Sequence, residues 1–313
     1  MFHLGKAEVK ELPGSAMQVE KSLQVLFEAN LEALLGIRFL ATEHSTGAVH
    51  GGRIDTLGLD EDNSPIIIEY KRSVNENVIN QGLFYLDWLL DHRKEFQWLV
   101  MERFGQTVAN AVDWSAPRLL CIAGDFTRYD EHAVKQIARN IELIRYRQFG
   151  EDLLMLELVH VPKIARVNTR QVHRATSVAT TIVEDASADA ADPYWTNRQA
   201  YRLSQSSGEL RDIFDAVHQF LVDLGDDVQV KELKQYTAFK RIKNFTCLQV
   251  YPQARSIAAY LRLDPSTIEV EENFSRDVRN IGHHGTGDLE VILRSMADFE
   301  KAQPLLRRAY EGG

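Results

Sequence analysis

The chain has 313 residues, 44% of them hydrophobic and 26% charged, with a formal net charge of −9. That length accommodates two domains around buried cores, and the acid excess excludes wrapping of nucleic acid by the whole surface while leaving room for a local basic patch. There is no long apolar run of membrane-spanning length and no apolar signal core in the first residues, and Cys121 and Cys247 stand far apart in apolar runs as reduced, buried thiols, so a cytoplasmic protein without membrane association is expected.

Residues 2–12 read as a short strand that ends at Pro13 and Gly14. Over 17–35, Val19, Leu23, Leu26, Phe27, Leu31, Leu34 and Leu35 recur at helical spacings, and Gly36 suits the C-cap. Glu20, Glu28 and Glu32 lie on this helix. Residues 37–43 read as a strand. It leads through Ser45 and Thr46 to Gly51 and Gly52, where glycine permits a tight turn and the close approach of a phosphate. His50 beside them is placed to contact a phosphate or position water, although a lone loop histidine commonly does neither.

Residues 53–59 and 65–72 flank the turn-rich string 60–64, which predicts a β-hairpin. With the turn centred on Asp62, Asp55 lies opposite Glu69 and Arg53 opposite Lys71. Side chains alternate faces along a strand, so Asp55, Glu69 and Lys71 share one face, while Ile66, Ile68 and Tyr70 point into a core. Two facing carboxylates repel unless a cation lies between them. Mg²⁺ takes oxygen ligands and keeps waters available, and a nearby lysine can orient water or neutralise a phosphate, an outfit suited to phosphodiester hydrolysis. The bland alternative is a solvated surface salt bridge. Arg53 and Arg72 flank the hairpin, either holding phosphates or discouraging edge pairing. The following helix, through residue 90, carries Gln81 and Tyr85 four apart on one face.

Gly52-x-x-Asp55, then Glu69-x-Lys71, then Gln81-x-x-x-Tyr85 resembles the motif series of the PD-(D/E)XK nuclease superfamily, in its NucS-like and RecB-like branches. Glu69 follows Asp55 by fourteen positions and Gln81 follows Lys71 by ten, and the resemblance covers about residues 15–160. It implies an α/β fold with a restriction-endonuclease-like core, a mixed central β-sheet flanked by helices. It also implies a Mg²⁺ or Mn²⁺ ion between Asp55, Glu69 and the Tyr70 carbonyl, with Lys71 acting on the attacking water and Gln81 and Tyr85 bracing the site. The superfamily often draws one more acid from the preceding helix, a role that Glu20 fits best and Glu28 next. DNA is the implied substrate, in repair or defence, with a homodimer possible.

Beyond residue 90 the chain alternates helix (95–104), strand (118–123), helix (127–139) and two strands (141–146 and 153–161), completing an α/β domain over 1–161. Asp125 reads as a turn or cap residue, and Arg145 and Arg147 as part of a basic surface. Residues 162–192 read as a linker. Its first half carries Lys163, Arg166, Arg170 and Arg174 with no acid, and its second half carries only acids. A basic tether can track a nucleic-acid backbone, or can be merely solvated.

Residues 193–313 form a smaller C-terminal α+β domain of uncertain role, resembling an uncharacterised domain appended to other proteins, including predicted nucleases. An amphipathic helix over 209–224, strands over 228–233, 245–251, 256–261, 276–279 and 289–294, and a helix over 297–310 are expected. Lys231, Lys234, Lys240, Arg241 and Lys243 cluster as a candidate nucleic-acid or partner surface. The glycine- and histidine-rich string 281–288 lacks a P-loop ending and reads as a hairpin turn. A metal-dependent endonuclease is thus the leading reading. The alternative is a nucleic-acid-binding or regulatory protein that keeps the fold without turnover.

Overall fold

The computed structural model describes residues 1–4, 9–16, 20–71, 78–160 and 199–312. Arg72, Lys163, Arg166, Arg170 and Arg174, and the expected linker, lie outside the described residues. Two compact units divide the chain, Met1–Pro162 and Lys163–Gly313. No helix among the described residues is long and apolar enough to cross a membrane.

The N-terminal segment is a small antiparallel pair, β1 (Phe2–Leu4) and β2 (Val9–Glu11), rather than one strand. The expected first helix is also divided, into α1 (Glu20–Ala29) and α2 (Leu31–Leu35). The break falls at Asn30, whose amide donates to the Leu26 carbonyl at 2.9 Å. Asparagine competes in this way with the backbone's own helical bonding.

The first unit's main sheet has seven strands, mixed in direction. β4 (Arg38–Ser45), β5 (Arg53–Leu59) and β6 (Pro65–Lys71) run as an antiparallel meander. β6 then pairs in parallel with β7 (Arg118–Ala123), and β7 in parallel with β8 (Asn140–Phe149). β3 (Gly14–Ser15) and β9 (Leu153–His160) each pair antiparallel with β8. This is the expected mixed α/β core. Its parallel centre is covered on both faces, as parallel strands require. Phe27 of α1 packs against Tyr70 on one face, ring centroids 5.7 Å apart. On the other, Ile67, Leu119 and Cys121 join Trp88 and Leu89 of α4 (Val78–Asp91) in one apolar cluster. Gly82 allows that approach, since a side chain there would collide with Leu119. Glu69 therefore lies on a covered face and is fully buried, which removes the reading of a solvated surface salt bridge.

The hairpin register is the expected one. Thr56 pairs with Ile68, Leu57 with Ile67, Gly58 with Ile66 and Leu59 with Pro65, each pair equidistant from Asp62. Asp60 Oδ1 ties the turn by accepting the Asp62 and Ser64 amides at 2.9 and 2.8 Å. Asp60 Oδ2 accepts from Arg118 Nη1 at 2.9 Å, while Arg118 also forks onto both oxygens of Glu142 at 2.7 and 2.8 Å. Burial would lower the pKa of this guanidinium, but the two carboxylates outweigh burial and raise it.

Four further helices complete the unit: α3 (Gly47–His50), α5 (Arg93–Phe104), α6 (Gln106–Asn110) and α7 (Arg128–Gln136). α3 replaces the open glycine loop expected there, with Gly51 at φ 60° as its C-cap. Thr127 and Asp130 form a capping box on α7. Asp125 accepts from Arg145 Nε at 2.7 Å, and Arg145 also reaches Glu157, so Arg145 is neutralised rather than offered as a basic surface.

The second unit has a six-stranded antiparallel sheet, in the order β10 (Gln229–Glu232), β11 (Thr237–Lys240), β12 (Asn244–Tyr251), β13 (Ser256–Leu261), β15 (Leu289–Leu293) and β14 (Ser275–Asp277). α9 (Gly208–Val222) and α10 (Met296–Gly312) bring Ile213, Val217, Phe299 and Leu306 into one cluster with Leu248, Ala259 and Val291. α8 (Gln199–Ser204) was not expected; its anchor is Gln199, whose amide donates to the Leu248 carbonyl at 3.0 Å. The string 281–288 connects paired strands β14 and β15, as a turn should. Of the basic cluster, Lys234 is exposed and Lys231 and Lys243 are half-buried. Lys240 is buried, and Arg241 is engaged with Asp227 and stacks over Tyr310.

Candidate active site

The β5–β6 ladder stops at Thr56 and Ile68, and beyond it side chains take over. Glu69 Oε1 accepts the Asp55 N–H at 3.1 Å, and Asp55 Oδ2 accepts the Tyr70 N–H at 3.0 Å. Each carboxylate is thereby fixed by the neighbouring strand's backbone. Burial raises the pKa of Asp55, against the opposing effects of the Tyr70 amide and Lys71. Glu69 is pushed up to about 9, first by burial and then by the charge of Asp55. Glu69 Oε2 is buried and finds no hydrogen-bond partner among the described residues.

Lys71 Nζ lies 3.2 Å from Glu20 Oε1. The charge of Lys71 favours the ionised form of both Asp55 and Glu69, and that of Glu20 opposes it. The structure therefore brings Glu20, Asp55, Glu69 and Lys71 within one electrostatic neighbourhood. The Tyr70 hydroxyl feels it as well: burial raises its pKa, and the charges of Asp55 and Glu69 add to that effect. The Tyr70 ring packs on Phe27.

A buried carboxylate, Glu69, and a half-buried one, Asp55, form a hard oxygen donor set of the kind a divalent cation neutralises. Among the described residues no group of three His, Cys, Asp or Glu side chains is arranged to hold a metal. Mg²⁺, the ion the resemblance implies, takes oxygen ligands and retains waters. Asp55 and Glu69 are the side chains that could hold it, and the Tyr70 carbonyl is the backbone ligand implied by the resemblance.

Gln81 and Tyr85 stand behind this pair. Tyr85 OH accepts the Arg53 N–H at 3.1 Å and receives Gln81 Nε2 at 3.2 Å. A side chain at Gly52 would come within 2.5 Å of the Tyr85 ring. Tyr85 thus clamps the start of β5, two residues before Asp55, and Gln81 orients the clamp. The Arg53 side chain is exposed, reaching Glu43 at 3.5 Å, and its residue pairs with Ser45 on the β4 side, while the β6 ladder has already ended at Thr56. His50 packs on the Phe84 ring at 5.2 Å and meets His92 edge-on at 5.7 Å, with its Nδ1 buried and without a partner among the described residues. Its environment is aromatic rather than that of an open phosphate loop.

One residue in this neighbourhood escaped the sequence reading. Gln24, on α1 between Glu20 and Glu28, donates to the Asp55 carbonyl at 2.9 Å. The spacing of four through Glu20, Gln24 and Glu28 was the available signal.

A family model described as a domain of unknown function (DUF5655) matches residues 200–312. An uncharacterized protein of Haemophilus influenzae is 26% identical over 313 residues, which is 99% of this chain and 98% of that relative. Among solved structures, a repair endonuclease from Pyrococcus abyssi matches at 16% identity and a TM-score of 0.28, over 42% of this chain and 49% of that one. An EndoMS–dsDNA complex matches at 19% identity and a TM-score of 0.24, over 44% and 47%. The chain spans about half the length of both solved structures.

Proposed function

We propose that the first unit is a metal-dependent nuclease that hydrolyses DNA phosphodiester bonds, with Asp55 and Glu69 as metal ligands and Lys71 at the reacting phosphate. The observation that carries this reading is the Asp55–Glu69 crossing itself. A protein gains nothing in stability by setting a buried carboxylate beside a half-buried one and leaving Glu69 Oε2 without a donor among the described residues. Strongly perturbed, desolvated carboxyl pairs of this kind mark functional sites.

A divalent cation bound here supplies charge neutralisation on a phosphate oxygen and lowers the pKa of its water. The chain's own residues supply the rest. Asp55 and Glu69, each tied to the other's strand, hold two oxygens in fixed positions, so little reorganisation accompanies binding. The Lys71 ammonium, steered by Glu20, orients the water whose oxygen bonds to phosphorus as the P–O bond to the leaving sugar breaks. It also offsets the negative charge that builds on the phosphate. Tyr85 and Gln81 keep the β5 backbone in place and touch no reacting atom.

The test is cleavage of labelled single-stranded, duplex and forked DNA by the full-length chain, with Mg²⁺, Mn²⁺ or EDTA. Metal-dependent cleavage lost in both Asp55→Ala and Glu69→Ala is the expected result. Wild-type rates in both variants would remove the hairpin from the chemistry.

A further inference from the structure

Asp55 occupies a gap in its own sheet. On one side the β5–β6 ladder has ended at Thr56. On the other, the β4–β5 pairing runs from Thr42–Thr56 to His44–Ile54 and skips the intervening position, where Glu43 adopts φ 50°. Side chains bind the Asp55 backbone at this gap. The N–H goes to Glu69, and the carbonyl receives Gln24 Nε2 at 2.9 Å.

Gln24 is well suited to that task. It is only 4% exposed. Besides Asp55 O, its amide nitrogen lies 2.9 Å from Glu28 Oε1 and 3.2 Å from Thr42 Oγ1, and its oxygen accepts Lys21 Nζ at 3.0 Å. Glu28 in turn accepts the Thr56 hydroxyl at 2.6 Å, so the residue after Asp55 is tied to the same helix. A buried amide held from several directions cannot rotate freely, and it transmits the position of α1 to the Asp55 backbone.

We infer that Gln24 is a positioning residue for the Asp55 carboxylate, acting through the Asp55 carbonyl, with Glu28 holding it in place. This rests on the nuclease reading above. Outer partners that orient ligands act on metal affinity without touching the metal. Gln24→Leu keeps the volume and removes the donor. Thr42→Val removes a different partner of the same amide and leaves the bond to Asp55 intact, so it controls for general loosening of α1.

The experiment measures Mn²⁺ binding to the full-length chain by electron paramagnetic resonance, alongside DNA cleavage across a Mn²⁺ titration. We expect Gln24→Leu to weaken Mn²⁺ binding about 10-fold or more. Cleavage should fall at low Mn²⁺ and recover at high Mn²⁺, with KM for DNA unchanged, because the ion draws Asp55 back into place. Thr42→Val should bind Mn²⁺ as the wild type does. A merely structural role predicts equal losses in both variants and no recovery with metal, and that result overturns the inference. So does wild-type Mn²⁺ affinity in Gln24→Leu. Absence of Mn²⁺ binding in the wild type overturns the site reading and this inference with it. If Gln24→Leu does not fold, Gln24→Met, unbranched and also lacking the donor, carries the same expectation.

Discussion

The β5–β6 hairpin carries a buried acidic cluster at each end, and the two are built on opposite plans. At the turn, Asp60 and Glu142 surround Arg118, and every carboxylate oxygen receives a donor. At the open end, Asp55 and Glu69 face each other, and Glu69 Oε2 receives none among the described residues. Burial is common to both, so burial alone does not mark a functional carboxylate. The difference lies in satisfaction. A cluster that closes its own hydrogen bonds fastens the β5–β6 turn to β7 and β8, whereas one that leaves an oxygen open has capacity for something from outside.

The sharpest way to break that contrast is to cut each cluster and ask what is lost. Asp55→Ala and Glu69→Ala should abolish metal-dependent cleavage while leaving the fold intact, because each removes a carboxyl group whose ionised form the site disfavours. Arg118→Met should do the reverse. It leaves two buried carboxylates uncompensated and should cost about 3–5 kcal/mol in urea unfolding. Should Arg118→Met prove neutral in stability, or Glu69→Ala severely unfolded, the two ends would not differ in kind.

Lys71 comes next in size. Lys71→Ala should still bind Mn²⁺ but lose turnover by about 10²-fold, the scale of a lost acid–base or charge-stabilising group. Lys71→Arg should rescue poorly, because a guanidinium differs in shape and hardly releases its proton. Full activity in the arginine variant would reduce the role of Lys71 to charge alone.

A pH titration sharpens the comparison further. The folded-state pKa of Glu69 is about 9, above the ordinary carboxylate value, so the folded protein holds a proton that the unfolded chain releases. Stability from this group is fully present below the unfolded value and is lost as pH rises toward about 9. Asp55, also raised, adds to the same trend. The melting temperature of the metal-free protein should therefore fall over that range. Glu69→Gln should flatten the fall, and Mn²⁺ at pH about 8 should restore the wild type but not the Gln variant, as expected for a ligand that binds only the folded state. A flat profile in the metal-free wild type would contradict the burial of an ionisable pair. The smallest effect is expected from Tyr85→Phe, which deletes one backbone clamp at Arg53, a loss of about 1 kcal/mol in unfolding, with Mn²⁺ binding retained.

The sequence made some parts of this legible for definite reasons. The hairpin register follows from a turn centred on Asp62 with apolar arms of equal length, and it places Asp55 beside Glu69. The clamp by Gln81 and Tyr85 follows helical spacing. Gln24 was hidden because its partner is a backbone carbonyl, which no residue letter records. The aromatic setting of His50 depends on Phe84 and His92, supplied by and just beyond α4, a separate helix. β11 was missed because Thr237–Lys240 is four residues long and ends in lysine, yet that lysine is buried. The break at Asn30 turns on a single side-chain bond inside an otherwise regular apolar pattern.

The contact between Gly52 and Tyr85 reaches beyond this one chain. The ring occupies the space that any side chain at position 52 would need, so the two positions cannot drift independently. Homologous chains that keep a tyrosine at the position of Tyr85 should keep glycine at that of Gly52, and those that acquire a side chain there should carry a smaller residue in place of the ring. Such paired replacement would let the origin of this clamp be dated within a lineage, separately from the carboxylates it serves.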